Sequence, residues 1–439
     1  MIYHDFICVN QPNLFYQCSI FSQFTNKILH SYKANKVQPL TNSPQRIITK
    51  TIWMLSLVSL FTDMASEMLY PVMPVFLKHI GFSVLLIGVL EGIAEAVAGL
   101  SKPYFGKWSD ATGKRLPFVQ LGYGLSAISK PIIALFFYPL WIFFARTIDR
   151  LGKGIRTGAR DAMLSDECTP ETKATVFGFH RSMDTLGAVF GPALALLFLY
   201  FYPEQYRPLF LIAFIPGIAA ILFTLLTKEK LHQTTNNKPP TTNYQLLSFL
   251  SYWNKAPLQY KKLVTGLLVF ALFNSSDVFL LLKMKDSGLT DIQLIGVYIF
   301  YNLVYALLSY PIGIIADKLG MKKIFLSGLL VFALVYTGFA FANNIIVYLA
   351  LFLLYGIYAA ATEGISKAWI TNMVDKKETA TAIGTYTGLQ SIAALIASSG
   401  CGFLWLTFGA KITFIITAAV TLLVVVYLSS LKIFKKDSL

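Results

Sequence analysis

The amino-acid sequence predicts an all-α membrane protein with twelve transmembrane helices in two six-helix halves. Of its 439 residues, 55% are hydrophobic and only 13% are charged, whereas an ordinary soluble domain carries about 25% charged residues. Apolar runs recur from residue 51 to the C-terminus, and each has the roughly twenty residues needed to cross a hydrocarbon core about 30 Å thick. One long polar stretch divides these runs into two sets of six, and a motif that occurs twice supports this division. This composition argues against a soluble globular enzyme.

The boundaries of the predicted elements follow from reading the apolar runs against polar loop signals. The twelve spans lie near residues 51–78, 83–106, 116–137, 140–160, 174–201, 208–227, 263–284, 291–315, 323–342, 344–371, 381–407 and 411–431. Residues 1–50 form a predicted cytoplasmic N-terminal tail, which lacks the features of a removable signal peptide. Residues 51–227 form the N-terminal half, residues 228–262 a cytoplasmic linker, and residues 263–439 the C-terminal half with a short basic tail.

The basic residues are distributed unevenly across the predicted membrane. The formal net charge is +15, which in a soluble chain would suggest a nucleic-acid partner. With a cytoplasmic N-terminus, most of the 37 Lys and Arg residues fall in tails and loops on the cytoplasmic side. The opposite side holds only Lys78, Arg207, Lys283, Lys285 and Lys411. This is the positive-inside pattern, and it predicts a multi-pass protein of the cytoplasmic (inner) membrane with both termini cytoplasmic and no nucleic-acid partner.

A short motif occurs at corresponding places in the two predicted halves. After the second span it comprises Gly106, Asp110, Gly113, Lys114 and Arg115, and after the eighth span Gly313, Asp317, Gly320 and Lys322. Glycine permits close helix contact and a tight turn, and an aspartate can accept hydrogen bonds from a neighbouring helix N-terminus. A second match, at the start of spans 5 and 11, pairs Ala174, Thr175 and Gly178 with Ala380, Thr381 and Gly384. Parallel six-helix repeats are typical of one large group of secondary transporters.

The stretch 106–115 resembles the signature loop of the major facilitator superfamily, written G-x-x-x-D-[RK]-x-G-[RK]-[RK]. Ala111 departs from this pattern in the first copy, and Met321 departs from it in the second. The stretch 63–192 is most similar to an uncharacterised prokaryotic permease branch of that superfamily. The resemblance implies the superfamily fold and alternating access between the halves, with the loop motif acting as a latch that closes the cytoplasmic side.

Span 5 contains Gly187, Gly191 and Pro192, which resemble the G-x-x-x-G-P motif of superfamily exporters that work by proton antiport. The continuation departs from the family, because Ala193, Leu194 and Ala195 stand where further glycines are usual. Small residues at this spacing also let any two membrane helices pack closely. The motif therefore has two interpretations, an antiporter signature and a packing device.

Ionisable residues lie inside the predicted spans, where each one costs roughly 2.5–3.5 kcal/mol on insertion scales. The candidates for proton coupling or for lining a substrate cavity are Asp63, Glu67, Glu91, Glu95, Lys130, Arg146, Asp149, Arg150, Arg181, Asp184 and Asp277. The acids of spans 1 and 2 are spaced i,i+4, so each pair shares a helix face. Carboxylates that share a low-dielectric face favour uptake of a proton. The alternative is a set of static salt bridges to Arg146 and Arg150 of span 4.

The predicted function is a proton-coupled secondary active transporter that moves a small polar or charged solute by alternating access, leaning to efflux by proton antiport. The alternatives are proton-linked uptake of a metabolite or metal chelate, sodium coupling, or a non-transporting membrane receptor or assembly partner. The sequence shows no phosphate-binding glycine loop, metal-ligand cluster or nucleophile triad. We therefore expect no enzyme activity, no cofactor and no metal site. The expected partners are the solute, protons and the lipid bilayer, and the protein is expected to be a monomer.

Overall fold

The computed structural model describes residues 47–69, 72–73, 76–77, 80–81, 84–229 and 248–431. Within these ranges every regular element is helical. Most of the predicted N-terminal tail, the central part of the predicted linker and the last eight residues of the basic tail (432–439) lie outside the described residues. The side chains of two candidate acids, Glu91 and Glu95, also lie outside them.

The first six predicted spans correspond to helices α1 to α7, here termed the N-terminal set. These are α1 (Lys50–Glu67), α2 (Val84–Thr112), α3 (Leu116–Leu135), α4 (Pro139–Asp166), α5 (Lys173–Phe201), α6 (Tyr206–Ile212) and α7 (Phe214–Leu225). Helix α1 begins after Thr49, whose Oγ1 accepts a hydrogen bond from the Ile52 amide at 3.3 Å. Helix α4 runs six residues past the end of the fourth predicted span, which ended at residue 160, and so keeps further charged residues in a helix.

The remaining helices form the C-terminal set. These are α8 (Ser248–Lys255), α9 (Leu258–Ala271), α10 (Val278–Asp286), α11 (Asp291–Leu319), α12 (Met321–Phe341), α13 (Ile345–Thr371) and α14 (Thr379–Ser430). Helix α8 lies in the stretch read from the sequence as linker. The seventh predicted span, 263–284, is interrupted between α9 and α10, and the interruption carries polar residues.

Glycines mark the sharpest changes of chain direction. Gly113 and Gly320 have φ of +66° and +100°, a region that side chains with a Cβ rarely adopt. Both residues lie in the turns of the repeated motif, where the sequence predicts that glycine is required. Within α14, Gly409 has φ of +80° and ψ of 164°, so two helical segments meet there, between the positions predicted for spans 11 and 12.

Seven helical stretches in the described residues are long and apolar enough to cross a membrane. One of these stretches contains α14, which covers two predicted spans. Helix α4 is not among them, because its sequence carries too many charged residues. An apolar-run criterion therefore misses a helix whose charges are satisfied inside the protein rather than by water.

Candidate functional site

The two motif aspartates each bind the start of a helix from the other set. Asp110 of α2 accepts hydrogen bonds from the amide of Thr381 at 2.6 Å, from its hydroxyl at 2.7 Å and from the amide of Ala380 at 3.3 Å. Asp317 of α11 accepts hydrogen bonds from the amides of Ala174 at 2.9 Å and Thr175 at 2.7 Å. Each carboxylate thus lies at the positive N-terminal end of a helix. We term this end of the bundle the motif end.

The motif glycines allow the same helices to touch. A Cβ on Gly106 would collide with the carbonyl oxygen of Ala380, and one on Gly313 would collide with that of Ala174. Gly178 and Gly384, the second repeated pair, approach the backbones of α11 and α2 in the same way. The close backbone contact explains why both repeated motifs place glycine here, and it closes the motif end.

The basic residues of the motif differ between its two copies. Arg115 is buried, forms an ion pair with Asp166, and donates to the carbonyl oxygen of Lys376 at 2.8 Å. Lys114 is exposed. Lys322 instead donates to the carbonyl oxygens of Ser429 and Leu431 at 2.8 and 2.7 Å, where a cation is favoured at the C-terminal end of a helix. Only the first copy therefore uses its base to join the two sets.

A buried ionic cluster joins α4, α5 and α13 further along the bundle. Asp161, whose residue is 0% exposed, lies 2.8 Å from Arg160 Nη2 and 2.8 Å from Lys367 Nζ. Lys367 belongs to α13, so this contact links the two sets. His180 is buried beside the cluster, with Nδ1 3.3 Å from Ser56 Oγ and no hydrogen-bond partner for Nε2 in the described residues.

A second part of the cluster contains Arg181 and Asp184. Arg181 Nη1 lies 2.7 Å from Asp184 Oδ2, and Arg181 Nη2 lies 3.6 Å from Glu363 Oε2 of α13. Asp184 also accepts a hydrogen bond from Ser59 of α1. The side chains of Arg181 and Glu363 are 31% and 36% exposed. This part of the network is therefore open to the solvent or to a solute.

The first-span acid Asp63 is brought next to Asp184. The two carboxyl groups lie close enough to interact, and Asp63 is only half-buried whereas Asp184 is buried. Two ionised carboxylates this close repel each other, and Arg181 at 2.7 Å from Asp184 offsets part of that repulsion. Glu67, one turn further along α1, interacts electrostatically with Lys153, Arg150 and Arg146 and also with Asp184.

The remaining candidates separate into two further groups. Lys130 of α3 pairs with Asp149 at 2.8 Å and donates to Ser66 at 3.1 Å, while Arg146 and Arg150 also face Asp149. Asp277 lies apart from these charges, at the break between α9 and α10. The structure thus distributes the candidate residues whose side chains it describes over three places rather than one.

The helix 5 glycines pack against α1. A Cβ on Gly187 would collide with the Leu60 carbonyl oxygen, and one on Gly191 would lie 2.7 Å from the Met64 carbonyl oxygen. Pro192 is buried in the same helix. These contacts lie within the N-terminal set, so the motif has a packing role whatever its further significance.

Sequence reasoning missed Arg156 and Arg160, which lie at the end of the fourth predicted span, and Asp161, which lies just beyond its end at residue 160. The guanidinium of Arg156 lies 4.4 Å from the ring centroid of Tyr123 and donates to Ser126 at 2.6 Å. The sequence could have indicated this longer helix, because no pair of turn-forming residues follows Arg160. The helix can therefore continue through Asp166.

These features define a polytopic helical membrane transporter, with ionic contacts between two sets of helices and one end of the bundle closed. The family model described as the Major Facilitator Superfamily matches residues 55–301 and 278–438. The chain belongs to this superfamily, and it is a transporter and not an enzyme.

Relatives from prokaryotes span most of the chain. An uncharacterized MFS-type transporter of Methanocaldococcus jannaschii is 32% identical over 370 residues, which are 83% of this chain and 90% of that protein. Multidrug resistance protein 2 of Bacillus subtilis is 22% identical over 281 residues, covering 62% of this chain and 69% of that protein. The first relative supports the same family assignment independently of the family model.

Solved structures show the same fold. The human organic anion transporter MFSD10 superposes with a TM-score of 0.69 at 18% identity, covering 86% of this chain and 98% of that chain. The fucose:proton symporter of Escherichia coli gives a TM-score of 0.68 at 13% identity, with 86% and 97% covered. At these identities the likeness establishes the superfamily fold alone, which confirms the all-α membrane fold predicted from the sequence.

Proposed function

We propose that the protein is a proton-coupled secondary active transporter of a small charged or polar solute. The observation that carries this proposal is the contact between Asp63 and Asp184, next to Arg181 and its partner Glu363. Transport by alternating access requires a group that binds a proton and a contact between the two sets that responds to it. The four residues provide both.

Proton binding acts through Arg181. When the pair of acids holds a proton, its negative charge facing Arg181 is smaller, and the attraction of Arg181 to Glu363 becomes relatively stronger. Because Arg181 belongs to α5 and Glu363 to α13, the proton changes a contact between the two sets. The coupling is reciprocal, since a solute that displaces Arg181 from Glu363 also changes the proton affinity of the pair.

The exposed part of the network supports a charged or polar solute. Arg181, Glu363 and Lys367 offer both signs of charge, and their side chains are 31%, 36% and 19% exposed. A purely lipophilic solute would leave these groups without compensation in a low-dielectric cavity.

We assign the direction of transport to export by proton antiport. This rests on the resemblance of the helix 5 motif to that of proton-driven exporters and on the similarity to a multidrug resistance protein. Proton-linked uptake is the competing direction. The proposal includes a monomer in the cytoplasmic membrane with both termini cytoplasmic, which is the orientation that the positive-inside rule favours.

The test begins with a melting-temperature screen of the purified protein against organic cations, anions and zwitterions at two pH values, because a ligand stabilises the state it binds. A stabilising compound is then loaded into proteoliposomes that contain a pH-sensitive dye. Antiport predicts that outward solute flow drives protons inward. Asp63→Asn should retain solute binding but lose proton flux, whereas the control Asp286→Asn, at an exposed acid, should behave as wild type.

Three outcomes would contradict all or part of the proposal. Full proton-coupled flux in Asp63→Asn would remove this acid from the coupling site. Absence of any solute flux, together with tight binding of another protein, would favour the receptor alternative. Proton flow in the same direction as the solute would retain coupling and replace export with uptake.

A further inference from the structure

The stretch that the sequence predicts to be a linker contains a helix that ends beside a proline. Helix α8 ends at Lys255, and a proline disfavours the helical conformation of the residue before it. The amide of Ala256 still donates to the carbonyl oxygen of Tyr252 at 2.8 Å, which completes the last turn. Pro257, with φ of −55° and ψ of 145°, then leads directly into α9. Helices α8 and α9 are therefore joined by a sharp, short corner.

Two contacts fix α8 to α9, and a third fixes α9 to α14. The rings of Tyr252 and Tyr260 pack edge to face, with centroids 5.8 Å apart. The ammonium group of Lys261 donates to the carbonyl oxygen of Asn254 at 2.8 Å, near the C-terminal end of α8, where a cation is favoured. The buried hydroxyl of Tyr260 donates to the carbonyl oxygen of Ala382 in α14 at 2.9 Å. Helix α8 is thus attached to the C-terminal set.

The same helix also lies against α2 of the N-terminal set. Tyr252 is 8% exposed, and its hydroxyl is close enough to interact electrostatically with the carboxyl groups of Glu378, Asp110 and Asp375. Asp110 is the motif aspartate of α2, and Glu378 immediately precedes α14. Tyr252 therefore lies at the junction where Asp110 binds the start of α14.

We propose that α8 is an arm of the C-terminal set that packs on α2 and stabilises the closed motif end. The packing on α2 requires that α2 and α14 are together, so it contributes to the closed conformation and is lost in the open one. Burial of a tyrosine ring contributes favourably to whichever conformation buries it. The inference goes beyond the proposed function, because it requires only that the motif end opens and closes, whichever solute or ion is carried.

The contacts of α8 also indicate where the arm separates when the motif end opens. On the side of α9 it has ring packing, a hydrogen bond to Lys261 and the short connecting corner. On the side of α2 it has packing and the electrostatic interaction of Tyr252, whose hydroxyl has no partner with hydrogen-bond geometry in the described residues. We therefore expect α8 to leave α2 and to move with the C-terminal set.

The first test removes the buried ring from the full chain. With spin labels at the exposed positions Lys114 and Lys377, in a variant without the native cysteines, Tyr252→Ala should lower the ratio of short to long distances about two- to tenfold. Tyr252→Phe keeps the ring and should stay within about twofold of the parent. Tyr200→Ala is the matched control, because Tyr200 is 79% exposed near the opposite end of α5 and should not affect the ratio.

The second test follows the arm itself and does not depend on any variant of Tyr252. A label at the exposed Asn254 is paired with Lys114 in one sample and with Lys377 in another. Gly106→Ala, whose added Cβ would collide with the closed α14, should lengthen the first distance and leave the second unchanged. Gly124→Ala, where a Cβ meets nothing within 4 Å, should change neither distance.

Three results would overturn the inference. The first is an unchanged distance ratio in Tyr252→Ala whose melting temperature shows that it has folded. The second is a loss in Tyr252→Phe as large as in Tyr252→Ala, which would contradict packing of the ring as the cause. The third is lengthening of the distance between Asn254 and Lys377 by as much as that between Asn254 and Lys114, which would show that α8 does not belong to the C-terminal set.

This inference and the proposed function can fail separately. If the distances respond as expected while no solute is transported with protons, the arm stands and the transport proposal fails. If proton-coupled transport is found while folded Tyr252→Ala keeps the distance ratio of the parent, the transport proposal stands and the arm is wrong.

Discussion

Buried charges in this protein are distributed so that most have a partner of opposite sign. Asp161 has two, Arg160 and Lys367, each at 2.8 Å. Taking a charge out of water costs several kcal/mol even after relaxation, and a well-placed partner returns most of that cost. The exceptional residues are therefore the informative ones. The acid pair Asp63 and Asp184 is the site to which we assign the coupling proton.

Asp161→Asn should destabilise the protein. The substitution leaves Arg160 and Lys367 facing each other without the carboxylate, and losing one partner of a buried ionic contact costs about 3–5 kcal/mol. We expect a clear fall in the melting temperature of the detergent-purified protein. The double variant Asp161→Asn with Lys367→Gln also removes one of the uncompensated charges. Its fall in melting temperature should therefore be smaller than the sum of the falls in the two single variants. A melting temperature equal to wild type in Asp161→Asn would show that the cluster has no net stabilising role.

Helix contacts at the motif end depend on glycine. Gly106 and Gly313 bring α2 and α11 against the first residues of α14 and α5 with no room for a Cβ. These contacts join the two sets, whereas those of Gly187 and Gly191 lie within one set. A methyl group at Gly106 or Gly313 should therefore alter the balance between conformations. At Gly187 or Gly191 it should alter packing and stability.

Gly106→Ala should open the motif end. The added Cβ would meet the Ala380 carbonyl oxygen, so the closed arrangement must separate while the open one is unaffected. Spin labels at the exposed positions Lys114 and Lys377, in a variant without the native cysteines, should report a longer mean distance. Gly124→Ala is the matched control, because a Cβ there meets nothing within 4 Å. An unchanged distance distribution in Gly106→Ala would mean that this contact does not hold the motif end closed.

At the scale of the whole molecule, closure of the motif end buries Asp110, which lies beyond the second predicted span. Its side chain is 6% exposed. Burial raises the pKa of the Asp110 carboxyl from 3.8 to about 7, outweighing Arg115 and the hydrogen bonds from Thr381 and Ala380, which lower it. An open motif end would return this carboxyl to water and to its ordinary pKa. Closure is therefore linked to proton binding.

The closed form should gain population as pH falls. The pKa of Asp110 is raised in the closed form. The stabilisation of the closed form by proton binding to Asp110 is therefore fully present below pH 3.8 and is lost as pH rises through about 7. The same spin-label pair should show more of the short distance at about pH 5 than at about pH 8. Asp110→Asn should reduce this dependence, and Asp286→Asn should retain it. A pH response of equal size in Asp110→Asn would assign it to other groups.

Several features could be read from the sequence because they depend on composition and local pattern. Apolar runs predict membrane helices since no unpaired backbone is tolerated in lipid, and the repeated glycines and aspartates predict equivalent turns in the two halves. The motif residues Gly113 and Gly320 are required by the local backbone alone. Such features need no knowledge of which helices are neighbours.

Other features were decided only by the tertiary structure. The sequence gives no means of telling that Asp63 meets Asp184, that Asp149 pairs with Lys130, or that Asp277 faces tyrosines instead of a base, because each contact joins helices distant in sequence. The predicted fourth span also ended too early, at residue 160, since Asp161 resembles a loop residue until Lys367 is brought beside it. Charge in a membrane is tolerated according to its partner, and the partner is a property of the packed helices.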